Sequence, residues 1–147
     1  MRVSIASDHA GFDQKQQLVG YLESHGHVVA DLGPTDDGRV DYPDFAEKVA
    51  CDVAAGRADF GVLVCGTGIG MAVAANKVDG IRAVNIVRPD FAALAREHND
   101  ANVLTLSGRF VSLEENEAIV DAFLGTDFGG GRHAGRVEKI TELERKR

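Results

Sequence analysis

The sequence predicts an α/β fold, a parallel five-stranded sheet with helices on both faces, and three observations carry that expectation. Short apolar runs alternate with stretches of helical periodicity along the chain. Turn-forming Gly, Pro and Asp punctuate the boundaries. Polar groups gather just after the apolar runs, where an open α/β sheet keeps its chemistry. With 147 residues, 44% hydrophobic and 27% charged, the chain is expected to form one domain, 1–147, around a proper core.

The elements follow in order. Val3 to Ala6 reads as the first strand and ends in Ser7-Asp8-His9-Ala10-Gly11. A helix over about Asp13 to His25 places Leu18, Val19 and Leu22 at helical spacing and stops at Gly26. Val28 to Leu32 is the second strand. Gly33 to Pro43 is turn-rich and predicts a long loop carrying Asp41 and Tyr42. From Asp44, the stripe Phe45, Val49, Val53 predicts a helix ending at Gly56.

Phe60 to Val64 is a buried strand, followed by Cys65, the glycines Gly66, Gly68 and Gly70, and an alanine-rich helix from about Met71 to Val78. Ile81 to Val87 is the fourth strand. Pro89 suits the first turn of a helix over about Asp90 to His98, with Phe91, Leu94 and Ala95 inward. Val103 to Leu106 is the fifth strand. Ser112 caps a helix over Leu113 to Leu124, with Glu115 in the capping-box position. Right-handed crossovers then give a three-layer, Rossmann-like arrangement. Residues 125–147 are left over: a glycine hinge, then a helix over about Arg132 to Arg147 with the narrow stripe Val137, Ile140, Leu143. That helix is expected to pack on a partner subunit, its own sheet being the alternative.

Composition narrows the function. A formal net charge of −7 argues against nucleic acid and anionic membrane surfaces as partners. No apolar run approaches the ~18 residues of a membrane span, and the N-terminus opens directly on a strand, so a cytoplasmic location is expected. Two cysteines suggest neither a disulfide frame nor a zinc site.

Strand, glycine loop, helix is a geometry in which backbone N–H groups converge on an anion or a developing oxyanion. Cys65 stands at its lip, where the positive end of a helix favours thiolate. In an arbitrary strand such a cysteine simply fills space, as Cys51 is expected to do in its helix; the adjoining glycines favour chemistry at Cys65. Thr67 offers a hydroxyl inside the loop. Asp8 and His9 leave a strand expected at the centre of the sheet, and so open into the same crevice. His98 falls on the inward side of its helix, within the polar run Glu97-His98-Asn99-Asp100-Ala101-Asn102. Arg132 and Arg136 stand four apart on one helix face, where two guanidiniums suit an anion between them or a solvated basic surface. Arg109 follows the fifth strand toward the same sheet edge. Gly66 to Ala72 reads G-T-G-I-G-M-A, not G-x-G-x-x-G, and no G-x-x-x-x-G-K-[ST] occurs, so a nucleotide loop does not fit.

SDHAG at Ser7–Gly11, YPDFA at Tyr42–Ala46, CGTGIGMAVAANK at Cys65–Lys77, REHNDANVL at Arg96–Leu104 and GGRHAGRV at Gly130–Val137 together resemble the ribose-5-phosphate isomerase B family, which also includes the galactose-6-phosphate isomerase subunits. The resemblance implies an aldose–ketose isomerase without metal or cofactor, a homodimer or dimer of dimers with sites between subunits. It implies Cys65 as the base that moves a proton through a cis-enediolate, assisted by Thr67. The amides of Gly66, Thr67, Gly68, Ile69 and Gly70 would hold the oxyanion. His98 would open the sugar ring, with Asp8 nearby. His9, Arg132 and Arg136 would bind phosphate, the arginines coming from the other chain, and Tyr42, Asn99 and Arg109 would complete the pocket. A sister subgroup uses a glutamate base at the position of Met71, which indicates the cysteine variant here. Arg88-Pro89 departs from the small hydroxyl residues usual in ribose-type members. It leaves D-erythrulose 4-phosphate, then hexose 6-phosphates, as alternative substrates. A non-catalytic sugar-phosphate-binding module is the alternative of another class.

Overall fold

The computed structural model describes residues 1–147. Five parallel strands, β1 (Arg2–Ser7), β2 (Val28–Asp31), β3 (Phe60–Cys65), β4 (Ala83–Asn85) and β5 (Val103–Ser107), line up in the order β2-β1-β3-β5-β4. Six helices accompany them: α1 (Phe12–Ser24), α2 (Tyr42–Ala54), α3 (Ile69–Ala75), α4 (Pro89–Asn99), α5 (Leu113–Leu124) and α6 (Arg132–Arg145). The strand order turns around between β1 and β3, so a crevice opens at the carboxyl ends of those two strands. β3, not β1, is the central strand, because the chain adds β2 on one side of β1 and everything later on the other.

Buried on both faces, the strands carry apolar side chains in alternation to two cores. Val3, Ile5, Val62, Val64, Leu104 and Leu106 pack with Leu18 and Leu22 of α1 and with Ile119, Val120 and Phe123 of α5. Ala6, Leu63, Cys65 and Val103 face Val49 and Val53 of α2 and Met71 and Ala75 of α3. Each fully buried Leu or Ile contributes about 1.5–3 kcal/mol of transfer free energy. No helix is long and apolar enough to cross a membrane.

Four further expectations change. Tyr42 is the first residue of α2 rather than part of a loop, since Pro43 is tolerated in a helix's first turn. α3 begins at Ile69, directly on the glycine loop. The fourth strand shrinks to Ala83–Asn85: as an edge strand it pairs on one side only, with β5. Phe91 and Leu94 are 52% and 42% exposed, and the inward residues of α4 are Ala92, Ala95 and Arg96. The short edge strand gives no cover to the outer side of α4, so its small residues take the inner one.

α6 lies on α4 of its own chain and buries Val137. Its end is tied down by the N–H of Gly80, which donates to Glu144 Oε1 at 2.8 Å, and by Arg147, 3.1 Å from Asp79. Ile140 and Leu143, 42% and 60% exposed, leave the rest of its apolar stripe open.

Candidate active site

At the β1/β3 crevice the backbone of Asp8 donates to the Val64 carbonyl at 3.1 Å. The Asp8 carboxylate turns inward, where Oδ1 accepts the N–H groups of Ala10 (2.9 Å) and Gly11 (3.0 Å) and holds the turn that leads into α1. Any side chain at Gly11 would run into the Val64 carbonyl, so glycine lets α1 start hard against β3. His9 Nδ1 accepts from the Val40 N–H at 3.3 Å, which leaves Nε2 to carry the proton of the neutral ring. Asp8, His9, Val40, Asp41, Tyr42, Pro43 and Asp44 line a cavity of about 420 Å³.

Cys65, 5% exposed, is the last residue of β3, and its Sγ accepts the Gly68 N–H at 3.1 Å. With α3 only two turns long, this single N–H, rather than a macrodipole, is what reaches the sulfur. The Thr67 Oγ1 accepts from Ile69 N–H at 3.1 Å. Two of the five loop amides are therefore engaged within the loop, while those of Gly66, Thr67 and Gly70 have no acceptor in the chain and stay free for an oxyanion. Arg109 lies over Gly66, its Nη1 3.2 Å from where a Cβ would stand, and the Tyr42 ring covers Gly70 at 2.7 Å by the same measure. Tyr42, the glycine loop and Arg109 thus frame the lip around Cys65, with Asp8 and His9 across the crevice.

The remaining candidates form a second group. His98, Asn99, Arg132, His133 and Arg136 line a cavity of about 250 Å³ with Val137 and Ile140. His133 was not singled out in the sequence, although it sits between the two arginines. Its ring stacks on His98 with centroids 4.4 Å apart and 17° between planes. Burial first, then the positive charges of His98, Arg132 and Arg136, hold its pKa below the usual imidazole range, opposed by Glu97. The polar run before β5 divides. Arg96 donates to Asp100 (2.9 Å), the Ala101 carbonyl (2.6 Å) and the Thr126 carbonyl (3.2 Å). Asn102 accepts from the Arg82 N–H and donates to the Gly80 carbonyl, both at 2.8 Å. Those residues hold backbone, whereas His98 and Asn99 face the cavity.

The two groups lie at opposite edges of the sheet. α4 starts after β4 at the carboxyl edge and runs back to Asn99, just before the start of β5. An 11-residue helix spans roughly 16 Å, the length of β5. Within one chain His98 is therefore brought to Arg132 and Arg136, not to Asp8 and Cys65.

A sequence profile described as Ribose/Galactose Isomerase matches residues 3–140. The chain is 47% identical to ribose-5-phosphate isomerase B of Escherichia coli (strain K12) over 99% of its own length and 98% of the relative's. The structure of Clostridium thermocellum ribose-5-phosphate isomerase B superposes with a TM-score of 0.98 at 47% identity, covering 99% of both chains. Ribose-5-phosphate isomerase B of Mycoplasma genitalium, solved with bound ribulose-5-phosphate, gives 0.95 at 47% identity, over 99% of this chain and 97% of that one. The chain belongs to the ribose/galactose isomerase family.

Proposed function

We propose that the chain is an aldose–ketose isomerase interconverting ribose 5-phosphate and ribulose 5-phosphate, at sites shared by two copies of itself. The observation that carries the shared site is the separation just described. One edge of the sheet holds a thiol, free loop amides and a sugar-sized crevice; the other holds two arginines and two imidazoles. A phosphorylated sugar needs both sets, and one chain cannot offer them at one place. Charge supports the pairing, since the first cavity is lined by Asp8, Asp41 and Asp44 and the second by Arg132 and Arg136.

The chemistry follows from the groups. His98 of the second copy moves the proton that opens the furanose ring. Cys65 Sγ, as thiolate, takes the proton from C2 of the open aldose and leaves a cis-enediolate. The free N–H groups of Gly66, Thr67 and Gly70 hold its oxygens. The same proton returns to C1, a hydroxyl proton passes from O2 to O1 with help from Thr67, and C2 becomes the ketone. His9 and the second copy's Arg132 and Arg136 hold the phosphate, and bidentate guanidinium contacts fix the distance from phosphate to reacting carbons.

The geometry does not favour a different sugar. Arg88 leaves β4, two strand spacings or roughly 10 Å from β3. Its guanidinium is already engaged by Asp90, with two contacts at 2.7 Å, and lies over the Phe91 ring. Steady-state isomerisation of ribose 5-phosphate, erythrulose 4-phosphate and a hexose 6-phosphate, by wild type and Cys65→Ala, tests the proposal. Turnover of the pentose phosphate that falls by about 10²–10⁴ in the variant supports it. Turnover of the tetrose or hexose alone would overturn the substrate and keep the mechanism, and an active Cys65→Ala would overturn the base.

A further inference from the structure

β5 reads Val-Leu-Thr-Leu-Ser, and Thr105 at its centre is 0% exposed. A hydroxyl in that position is costly unless it is bonded, and valine would fill the same volume. Thr105 pairs with Leu63 in register, so it lies on the face of the sheet that also carries Cys65. Its Oγ1 donates to the Gly68 carbonyl at 2.8 Å, a carbonyl that also accepts the Ala72 N–H at 3.2 Å. Asn85 Oδ1, 3.3 Å from the same hydroxyl, occupies the space that a Cβ on Gly68 would need. Gly68 is thereby held in a left-handed conformation, φ 84° and ψ −13°. In that conformation its N–H points at Cys65 Sγ, 3.1 Å away.

We propose that Thr105 is a positioning residue for this reaction: by fixing Gly68 from the neighbouring strand, it aims the Gly68 N–H at the Cys65 sulfur and so supports the thiolate. The inference rests on the reading of Cys65 as base. Thr105 itself is sealed in the core and touches no substrate. An N–H donor delivers its benefit only when it lies along the line to the sulfur, and Gly68 has no side chain to hold it there. The bonded carbonyl belongs to the Gly68–Ile69 peptide and the N–H to the Thr67–Gly68 peptide, and the two planes meet at the Gly68 Cα. Without the hydroxyl the dihedral angles of Gly68 lose a restraint from β5, and the preceding N–H can swing away while the strand and helix around it remain.

The test compares wild type, Thr105→Val, Thr105→Ser and Cys65→Ala. Iodoacetamide labelling is read peptide by peptide across pH, with Cys51, which lies exposed on α2 rather than packed, as internal reference. In Thr105→Val, labelling of Cys65 at neutral pH is expected to fall about tenfold and its rate-against-pH profile to move to higher pH. kcat for ribose 5-phosphate should fall in parallel with KM nearly unchanged, and Thr105→Ser should recover both. An unchanged labelling profile in Thr105→Val, or equal losses in the valine and serine variants, would overturn the proposal. If Thr105→Val does not fold, Thr105→Ala takes its place: its Gly68 amide resonance should follow the titration of Cys65 less than in wild type and its Cys65 labelling should slow, and a response equal to wild type in both would overturn the proposal. Cys65→Ala separates the two readings, because turnover retained there removes the base assignment while labelling still judges Thr105.

Discussion

His98 and His133 stack face to face, 4.4 Å between ring centroids, at the mouth of the cavity that also holds Arg132 and Arg136. The stack brings two imidazoles and two guanidiniums together, an arrangement suited to an anion. Since the pKa of His133 is held below the ordinary value, its ring is neutral at neutral pH and takes up a proton only as pH falls through that lowered value, which adds a positive charge beside Arg132 and Arg136. Bound phosphate reverses the sign of the local field. The His133 titration, followed by NMR, should move to higher pH when inorganic phosphate is added, and Arg136→Gln should weaken the shift. A titration indifferent to phosphate would argue for a solvated basic face.

Gly68→Ala should be more damaging than its size suggests. A left-handed residue with a Cβ costs roughly 1–2 kcal/mol. Here the added carbon would also meet the Leu106 carbonyl at 3.0 Å and overlap the Asn85 side chain. Thermal unfolding should register the loss, and Cys65 labelling should slow, because the N–H at its sulfur moves with the residue.

Arg96 is 6% exposed, and its guanidinium lies 4.7 Å from the Phe60 ring centroid while bonding Asp100, Ala101 and Thr126. Arg96→Ala should cost about 3 kcal/mol in denaturant unfolding, since packing and several backbone partners go together. Turnover should fall as well, because Asn99 and His98 occupy the turn that Arg96 anchors. Arg88→Ser, by contrast, should leave stability and the kcat/KM for ribose 5-phosphate unchanged, as its exposed pair with Asp90 and its contact with the exposed Phe91 ring are both local to the start of α4.

Most of the fold was legible because strands and helices announce themselves through period and caps. α5 begins and ends where the sequence places it, for Ser112 Oγ does accept the Glu115 N–H, at 3.2 Å. β4 was overdrawn because Ile81 to Val87 is apolar enough for a strand, but only its sheet partner decides how much of it pairs. The lip around Cys65 was legible in the glycine spacing. The company of His98 was not, because periodicity gives the face of a helix and not the end of the sheet at which the helix finishes. Thr105 gave no sequence signal beyond a hydroxyl in an apolar strand.

Tyr21 and Asp121 join α1 to α5 through a 2.5 Å hydrogen bond, which, with burial and the carboxylate's charge, pushes the phenol from 10.0 to about 12. A raised pKa means that the bond contributes fully below pH 10 and is lost as pH rises through about 12. Tyr21→Phe should cost about 1 kcal/mol at neutral pH. It should also flatten the fall in stability on the alkaline side, as seen in urea unfolding at a series of pH values. A variant as steep as wild type there would place the alkaline loss elsewhere.

The shared site is tested most directly by complementation. Cys65→Ala and His98→Asn are each expected to abolish turnover of ribose 5-phosphate. Refolded together in equal amounts, half of the dimers are mixed, and each mixed dimer has one intact site of two, so about a quarter of wild-type activity should return. Recovery near that level is the expected result. No recovery, with mixed dimers shown to form, would mean that Cys65 and His98 serve the same site from one chain, and would contradict the division of the site between two copies.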